Sequence, residues 1–305
     1  MFVGITGQEW LIFWRDFCQA LAWLVVLVFL VSGVEDLLYD VTHYSWQIYR
    51  RIRFRKRERL SLAKLRVREQ QLIAVFVPAW QESKVIGDML AQTLEKVEYH
   101  NYTVFVGTYP NDPETQQAVD ALAARYPRVV KVVADRPGPT NKAHNLNVIY
   151  GAMKEYERRH GVRFEIMVMH DAEDVVHPYS FMLYNYLIPR VDAIQIPILP
   201  LPVSFTKWVH WLYADEFAEN HLKDMIAREK LHGFVPYAGV GTCLSRHALL
   251  RLEEEGGSET PFDESTLTED YNVARKANLA HLNSIFVSVV LQEEKPRRLA
   301  PLAKR

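Results

Sequence analysis

Hydrophobic and polar positions divide the chain into two regimes. From Phe17 to Val34 the sequence FCQALAWLVVLVFLVSGV holds no Asp, Glu, Lys or Arg. That is close to the ~20 apolar residues with which a helix crosses a bilayer. Trp10, Trp14, Tyr39, Tyr44 and Trp46 flank it as an interfacial aromatic belt would. A buried core helix would have the same composition. A cleaved signal peptide fits less well, because no A-x-A site follows and the preceding residues are not basic. From residue 70 onward, short apolar runs alternate with amphipathic stretches. The runs 71–80, 102–108, 129–134, 164–170 and 192–198 predict strands, and 83–97, 113–125, 142–159 and 179–188 predict helices. Apolar runs that do not alternate imply strands buried on both faces, hence an α/β domain whose mainly parallel sheet is covered by helices on each side. In such sheets ligands bind beyond the carboxyl ends of the strands.

Charge gives the apolar segment a direction. Residues 50–69, RRIRFRKRERLSLAKLRVRE, carry ten Lys or Arg against two Glu, whereas residues 1–16 carry Arg15 against Glu9 and Asp16. A basic flank on the C-terminal side places the chain from about residue 45 in the cytoplasm. The same run could serve as a nucleic-acid patch, but the net charge of −1 argues against a dedicated binder. Cys18 and Cys243 form no disulfide framework, in keeping with a reducing compartment. The resulting division is an anchor over 1–45, a basic juxtamembrane linker over 46–69, an α/β domain over 70–290 and a tail over 291–305. Neither GxGxxG nor GxxxxGK[ST] occurs, which removes support for dinucleotide-dependent dehydrogenases and P-loop ATPases. GVGTCLS (239–245) has two glycines but does not read as a strand–helix junction.

Candidate chemistry lies at two acidic segments. In MHDAEDVVHP (169–178) Asp171, Glu173 and Asp174 follow a predicted strand end. Carboxylates at i and i+2 can share a hard cation such as Mg²⁺ or Mn²⁺ whose other ligands are substrate phosphates. A solvated acidic turn would look the same, and the spacing of His170 and His177 is not that of a zinc site. In STLTEDYNVARKA (265–277) Thr268 can cap a helix beginning with Glu269 and Asp270, or one acid can act as a general base in a cleft.

The order of the motifs is more specific than any one of them. VFVPAWQESKVI (75–86), GPTNKAHNLN (138–147), HDAED (170–174), GVGTCLS (239–245) and TED (268–270) together resemble the family-two inverting glycosyltransferases of GT-A fold. With FVGTYPNDPETQ, RPGPTNKA, YAGVGTC and TLTEDY, the chain is similar to the inner-membrane, bacteriophage-receptor branch of that family over residues 10–290. The resemblance implies a nucleotide-sugar donor, a saccharide acceptor in a cell-envelope polysaccharide or phage-receptor system, and Mg²⁺ or Mn²⁺ as cofactor. It also implies an enzyme anchored in the lipid bilayer of a bacterial inner membrane, facing the cytoplasm, with no nucleic acid as partner.

Residue by residue, the resemblance makes Asp171 and Glu173 the metal pair, with Asp174 able to share the role. Asp270 becomes the base, and Glu269 the next candidate. Ala79, Glu82 and Asp112 are expected around the nucleoside, Lys142 at the donor sugar or phosphates, and Gly241 and Thr242 on the acceptor side. Three departures stand out: Glu173 stands where Asp is usual, QE replaces the usual NE, and GTYPND replaces the usual DDGS. The Q-x-x-R-W motif and later membrane helices of processive relatives do not occur in these 305 residues. The expectation is therefore either part of a longer enzyme or a reduced form, with a non-catalytic module for assembly as the rival. A sugar nucleotidyltransferase would need a glycine-rich loop after the first strand, and VPAWQES has none.

Overall fold

The computed structural model describes residues 7–55, 60–204, 206–257 and 259–289; the tail from residue 291 and residues 56–59 of the basic linker lie outside them. A seven-stranded sheet organises the domain in the order β3-β2-β1-β4-β6-β5-β7. Its first half is parallel: β1 (Ile73–Pro78) lies between β2 (Tyr102–Thr108) and β4 (Ile166–Met169), and β3 (Val129–Val133) pairs with β2. Strand periodicity divides the core in two. Val75, Val77, Val104, Val106 and Val168 face one layer, with Ile86, Leu90, Val119, Phe181 and Tyr184 from helices. Ala74, Phe76, Phe105, Met167 and Met169 face the other, against Leu146, Ile149, Met153 and Leu249. β1, β2 and β4 thus bury both faces, the reason their sequences read as continuous apolar runs, whereas the edge strand β3 leaves Val133 exposed.

The crossovers are α3 (Ile86–Lys96), α4 (Pro113–Arg125) and α5 (Lys142–His160). Asp112 caps α4, with Pro113 at the first helical position, where no N–H is needed. Asn141 caps α5, and Gly161 closes it at φ 64°. A short α6 (Ser180–Leu187) leads to β5 (Ala193–Gln195). β5 is shorter than the predicted 192–198, since Pro197 has no N–H for the ladder.

The second half of the sheet is mixed. β6 (Thr242–Ser245) runs antiparallel to both β4 and β5, while β7 (Ser284–Phe286) is parallel to β5. β6 passes directly into α9 (Arg246–Gly256), where the Ser245 hydroxyl accepts from the Ala248 N–H at 3.0 Å. GVGTCLS is therefore a strand–helix junction after all. Its four-residue strand carries too little pattern to be recognised without its neighbours. Between β5 and β6 the chain leaves the sheet as α7 (Trp208–Glu219), a π-helical turn (Asn220–Asp224) and α8 (Met225–His232). α10 (Glu269–Leu279) precedes β7.

The N-terminal apolar run lies inside one helix, α1 (Gly7–Arg53), which continues through the start of the basic run; a five-residue helix, α2 (Leu62–Arg66), follows it. α1 is the described helix long and apolar enough to cross a membrane. Its apolar side chains are not core: Leu24, Val28 and Phe29 are 57%, 61% and 73% exposed. At 1.5 Å per residue α1 is about 70 Å long, over twice the ~30 Å hydrocarbon thickness. Its C-terminal part meets the domain through a buried His43 and an Asp40–Lys223 ion pair at 2.8 Å.

Candidate active site

The carboxyl ends of β1 and β4 and the start of α5 enclose a cavity of about 350 Å³. After Pro78 the chain turns through Gln81, at φ 58°, before α3 begins. Asp112 fixes this turn: its carboxylate accepts from the Gln81 N–H at 2.6 Å and from the Thr115 N–H at 3.3 Å. The Thr115 hydroxyl accepts from the Glu82 N–H at 3.0 Å. Ala79 and Glu82 line the cavity, whereas Asp112 is buried beneath the turn. Burial raises the Glu82 carboxyl above its ordinary value, and the negative charges of Glu173, Asp171 and Asp112 add to the effect.

The opposite wall contains residues that the sequence motifs did not single out. Trp80 and Tyr109 meet edge to face with centroids 5.1 Å apart, and the Tyr109 hydroxyl lies 2.7 Å from the Thr140 hydroxyl. Gly138 sits against both rings: a Cβ there would lie 2.5 Å from Trp80 and 2.9 Å from Tyr109. Asn145 donates to the Gly107 carbonyl at 3.1 Å, and a Cβ on Gly107 would strike its Oδ1. These aromatics stand at the QE and GTYPND departures, which were the available signal.

Lys142, the first residue of α5, donates to Asp171 Oδ1 at 2.6 Å, and its Nζ is 3.9 Å from Glu269 Oε1. Glu173 lines the same cavity. Asp174 is engaged elsewhere: its Oδ2 accepts from the Asp171 N–H at 2.8 Å and lies 3.2 Å from His170 Nδ1. Among the described residues no group of three or more His, Cys, Asp or Glu is arranged to hold one ion. Two carboxylates on an open cavity nevertheless fit a hard cation that takes its remaining oxygens from phosphates and water.

Asp270 lies outside the residues that line the cavity and comes close to Lys142 across Gly239. Gly239, at φ 70°, threads between two charges, so that a Cβ on it would be 3.1 Å from Lys142 Nζ and 3.3 Å from Asp270 Oδ2. Thr268 makes no side-chain cap, contrary to the capping expectation, and Asp270 Oδ1 accepts from the adjacent Tyr271 N–H at 2.7 Å. Glu269 is buried, and burial raises its carboxyl; its own N–H and Lys142 lower it, while Asp270 and Asp171 raise it further. Gly241 and Thr242 lie behind this edge. Thr242 is fully buried and donates to Gln195 Oε1 at 2.7 Å, while the Gly241 carbonyl accepts from Tyr184 at 3.1 Å. They shape the loop from beneath.

With this arrangement in view, the decisive match is to the model of glycosyltransferase-like family 2, which covers residues 70–305. The chain belongs to that family. This glycosyltransferase is 40% identical over 286 residues to bacteriophage adsorption protein B of Escherichia coli K12, and equally to bacteriophage N4 adsorption protein B of E. coli O157:H7. The match takes in 93% of this chain but 38% of either relative, so the chain spans well under half their length. A mannosyltransferase from Pyrobaculum calidifontis, solved with GDP-Man and Mn²⁺, shares the fold at TM-score 0.51 and 18% identity. That similarity covers 87% of this chain and 68% of the other.

Proposed function

We propose that this glycosyltransferase moves a sugar from a nucleoside-diphosphate donor to a saccharide acceptor with inversion, at the cytoplasmic face of a bacterial inner membrane. The observation that carries the reading is the convergence of Asp171, Lys142 and Asp270 beside Glu173, at the strand ends where a GT-A fold binds its donor. Ala79, Trp80, Glu82 and Tyr109 would surround the nucleoside, with Asp112 holding their turn. Lys142 would release Asp171 and turn to the donor's phosphates. Asp171 and Glu173 would hold Mg²⁺ or Mn²⁺, which supplies charge neutralisation for the departing diphosphate. Asp174 would act through the turn it fixes.

In the reaction the acceptor oxygen forms its bond to the anomeric carbon as the bond to diphosphate breaks on the opposite face, which inverts the centre. Asp270 takes the acceptor's proton, and Glu269, buried beside Lys142, helps to place it. The basic last turn of α1, with Arg50, Arg51 and Arg53, supports the cytoplasmic orientation. The name of the relatives, phage adsorption proteins, fits a polysaccharide displayed on the cell envelope, made together with other components of that system.

Calorimetry of the full chain in detergent against a panel of nucleotide sugars, with Mn²⁺ or EDTA, tests the reading. One donor should bind in a metal-dependent way and be turned over. Binding that ignores metal would leave the acids as a solvated turn. Absence of transfer with every donor would favour the non-catalytic module.

A further inference from the structure

Exposed apolar surface continues beyond α1. On the excursion between β5 and β6, Leu199, Leu201, Trp208, Val209, Leu212 and Tyr213 are between 48% and 68% exposed. Trp208 with Leu212, and Val209 with Tyr213, are spaced i, i+4, so they share one face of the first turns of α7. The exposed acids Asp215, Glu216 and Glu219 come only later in that helix. The apolar character is therefore concentrated at one end of α7.

The contact with α1 gives that end a direction. Asp40 pairs with Lys223 at 2.8 Å, and Trp46 lies under the Lys230 ammonium at 4.7 Å. From Asp40–Lys223 to Trp46–Lys230 the residue numbers rise together, while the Arg228 guanidinium reaches back to Tyr39 at 5.7 Å, so α1 and the segment 220–232 cross with their N-terminal ends toward the same side. The N-terminal end of α7 therefore points toward the side on which the charge-free stretch of α1 leaves the domain. Trp208 is about 20 Å further along than Lys223, and Val34 about 9 Å further than Asp40. The apolar tip thus reaches the level of the spanning stretch.

We infer that the first turns of α7, with Leu199 and Leu201, are a second membrane-contacting element, seated in the lipid–water interface beside α1. This rests on α1 spanning the bilayer. The occupant is phospholipid: Trp and Tyr among aliphatic side chains are what a lipid–water boundary selects, and the patch lies toward the side on which the charge-free stretch of α1 leaves the domain. Asp215, Glu216 and Glu219, which follow the patch in α7, keep the element at the interface rather than within the hydrocarbon. Because α8 leads into the loop bearing Gly239, this contact would hold the Asp270 side of the cavity close to the membrane.

Depth-dependent quenching tests the inference on the full chain. The native Cys18, exposed within α1, is labelled with an environment-sensitive fluorophore in detergent; the Cys243 thiol is buried, and burial pushes its pKa well up, so it does not compete. Cys18→Ser chains with Leu212→Cys or Val162→Cys are labelled likewise. All are reconstituted into phosphatidylethanolamine–phosphatidylglycerol vesicles with or without nitroxide-bearing acyl chains. The labels at 18 and 212 should shift to the blue and lose most of their emission to the nitroxide lipid, while that at 162 should do neither. A label at 212 that resembles 162 overturns the inference, and so does one that is shielded from water yet not quenched, since protein would then cover the patch. An unquenched label at 18 would instead overturn the spanning of α1.

Discussion

The two halves of the sheet are built to different specifications. On the parallel half, the cavity is framed by strand ends and capped helix starts. Asp112 holds the 79–82 turn, Asn145 reaches the Gly107 carbonyl, and Asp174 holds the backbone of Asp171. On the mixed half, the strands are three or four residues long, and the connection between β5 and β6 departs to meet α1. That half supplies Gly239, Glu269 and Asp270. A platform held by strand ends and helix caps thus faces an edge whose chain also reaches α1. On the proposed function the difference would separate donor recognition from acceptor activation, and substitutions should divide along the same line.

The largest effect is expected on the mixed half. Asp270→Asn keeps the shape but cannot accept a proton, so transfer should fall by about 10²–10⁴-fold with donor affinity unchanged. Rate and calorimetry on one variant check this; weakened donor binding would merge the two halves. On the parallel half, Asp171→Ala should reduce metal-dependent nucleoside-diphosphate binding by at least the ~10–100-fold that losing an outer-sphere partner costs. Asp174→Ala leaves the Asp171 N–H without its acceptor, so it should cost about 1–3 kcal/mol of stability and lower metal affinity less than Asp171→Ala does. Gly138→Ala forces a methyl group into the Trp80 ring, and should lower stability by about 1–3 kcal/mol and weaken donor binding without altering the pH–rate profile.

The smallest effect concerns pH. The Glu269 carboxyl is raised in the folded chain from its ordinary 4.5, so between that value and the raised one the folded state holds more protons than the unfolded. Stability attributable to this group is therefore full below pH 4.5 and declines as pH rises through the folded value. Glu269→Gln should raise the melting temperature at neutral pH, with a gain that vanishes on acidification below pH 4.5. Thermal melts across pH would show the opposite trend if the Lys142 ion pair outweighed burial.

Much of the parallel half was legible because its signals are local. Val-, Ile- and Phe-rich runs specify strands buried on both faces, and Asp112-Pro113 and Asn141 mark helix starts without reference to the rest of the chain. HDAED could be placed at a strand end for the same reason, and TED at a helix start. Thr268 misled as a cap because capping depends on a backbone conformation that the residue type does not fix.

By itself the sequence determined the α/β order, the apolar helix with its basic flank, and the acids at the ends of β4 and the start of α10. Only the tertiary structure decided that Trp80 and Tyr109 meet against Gly138, and that β6 runs antiparallel between β4 and β5. It alone brought Gly239 between Lys142 and Asp270, and Lys223 to Asp40. Helix caps and strand alternation arise from neighbours along the chain, whereas these contacts join residues dozens of positions apart. Their partners become defined only when the sheet closes and both core layers pack.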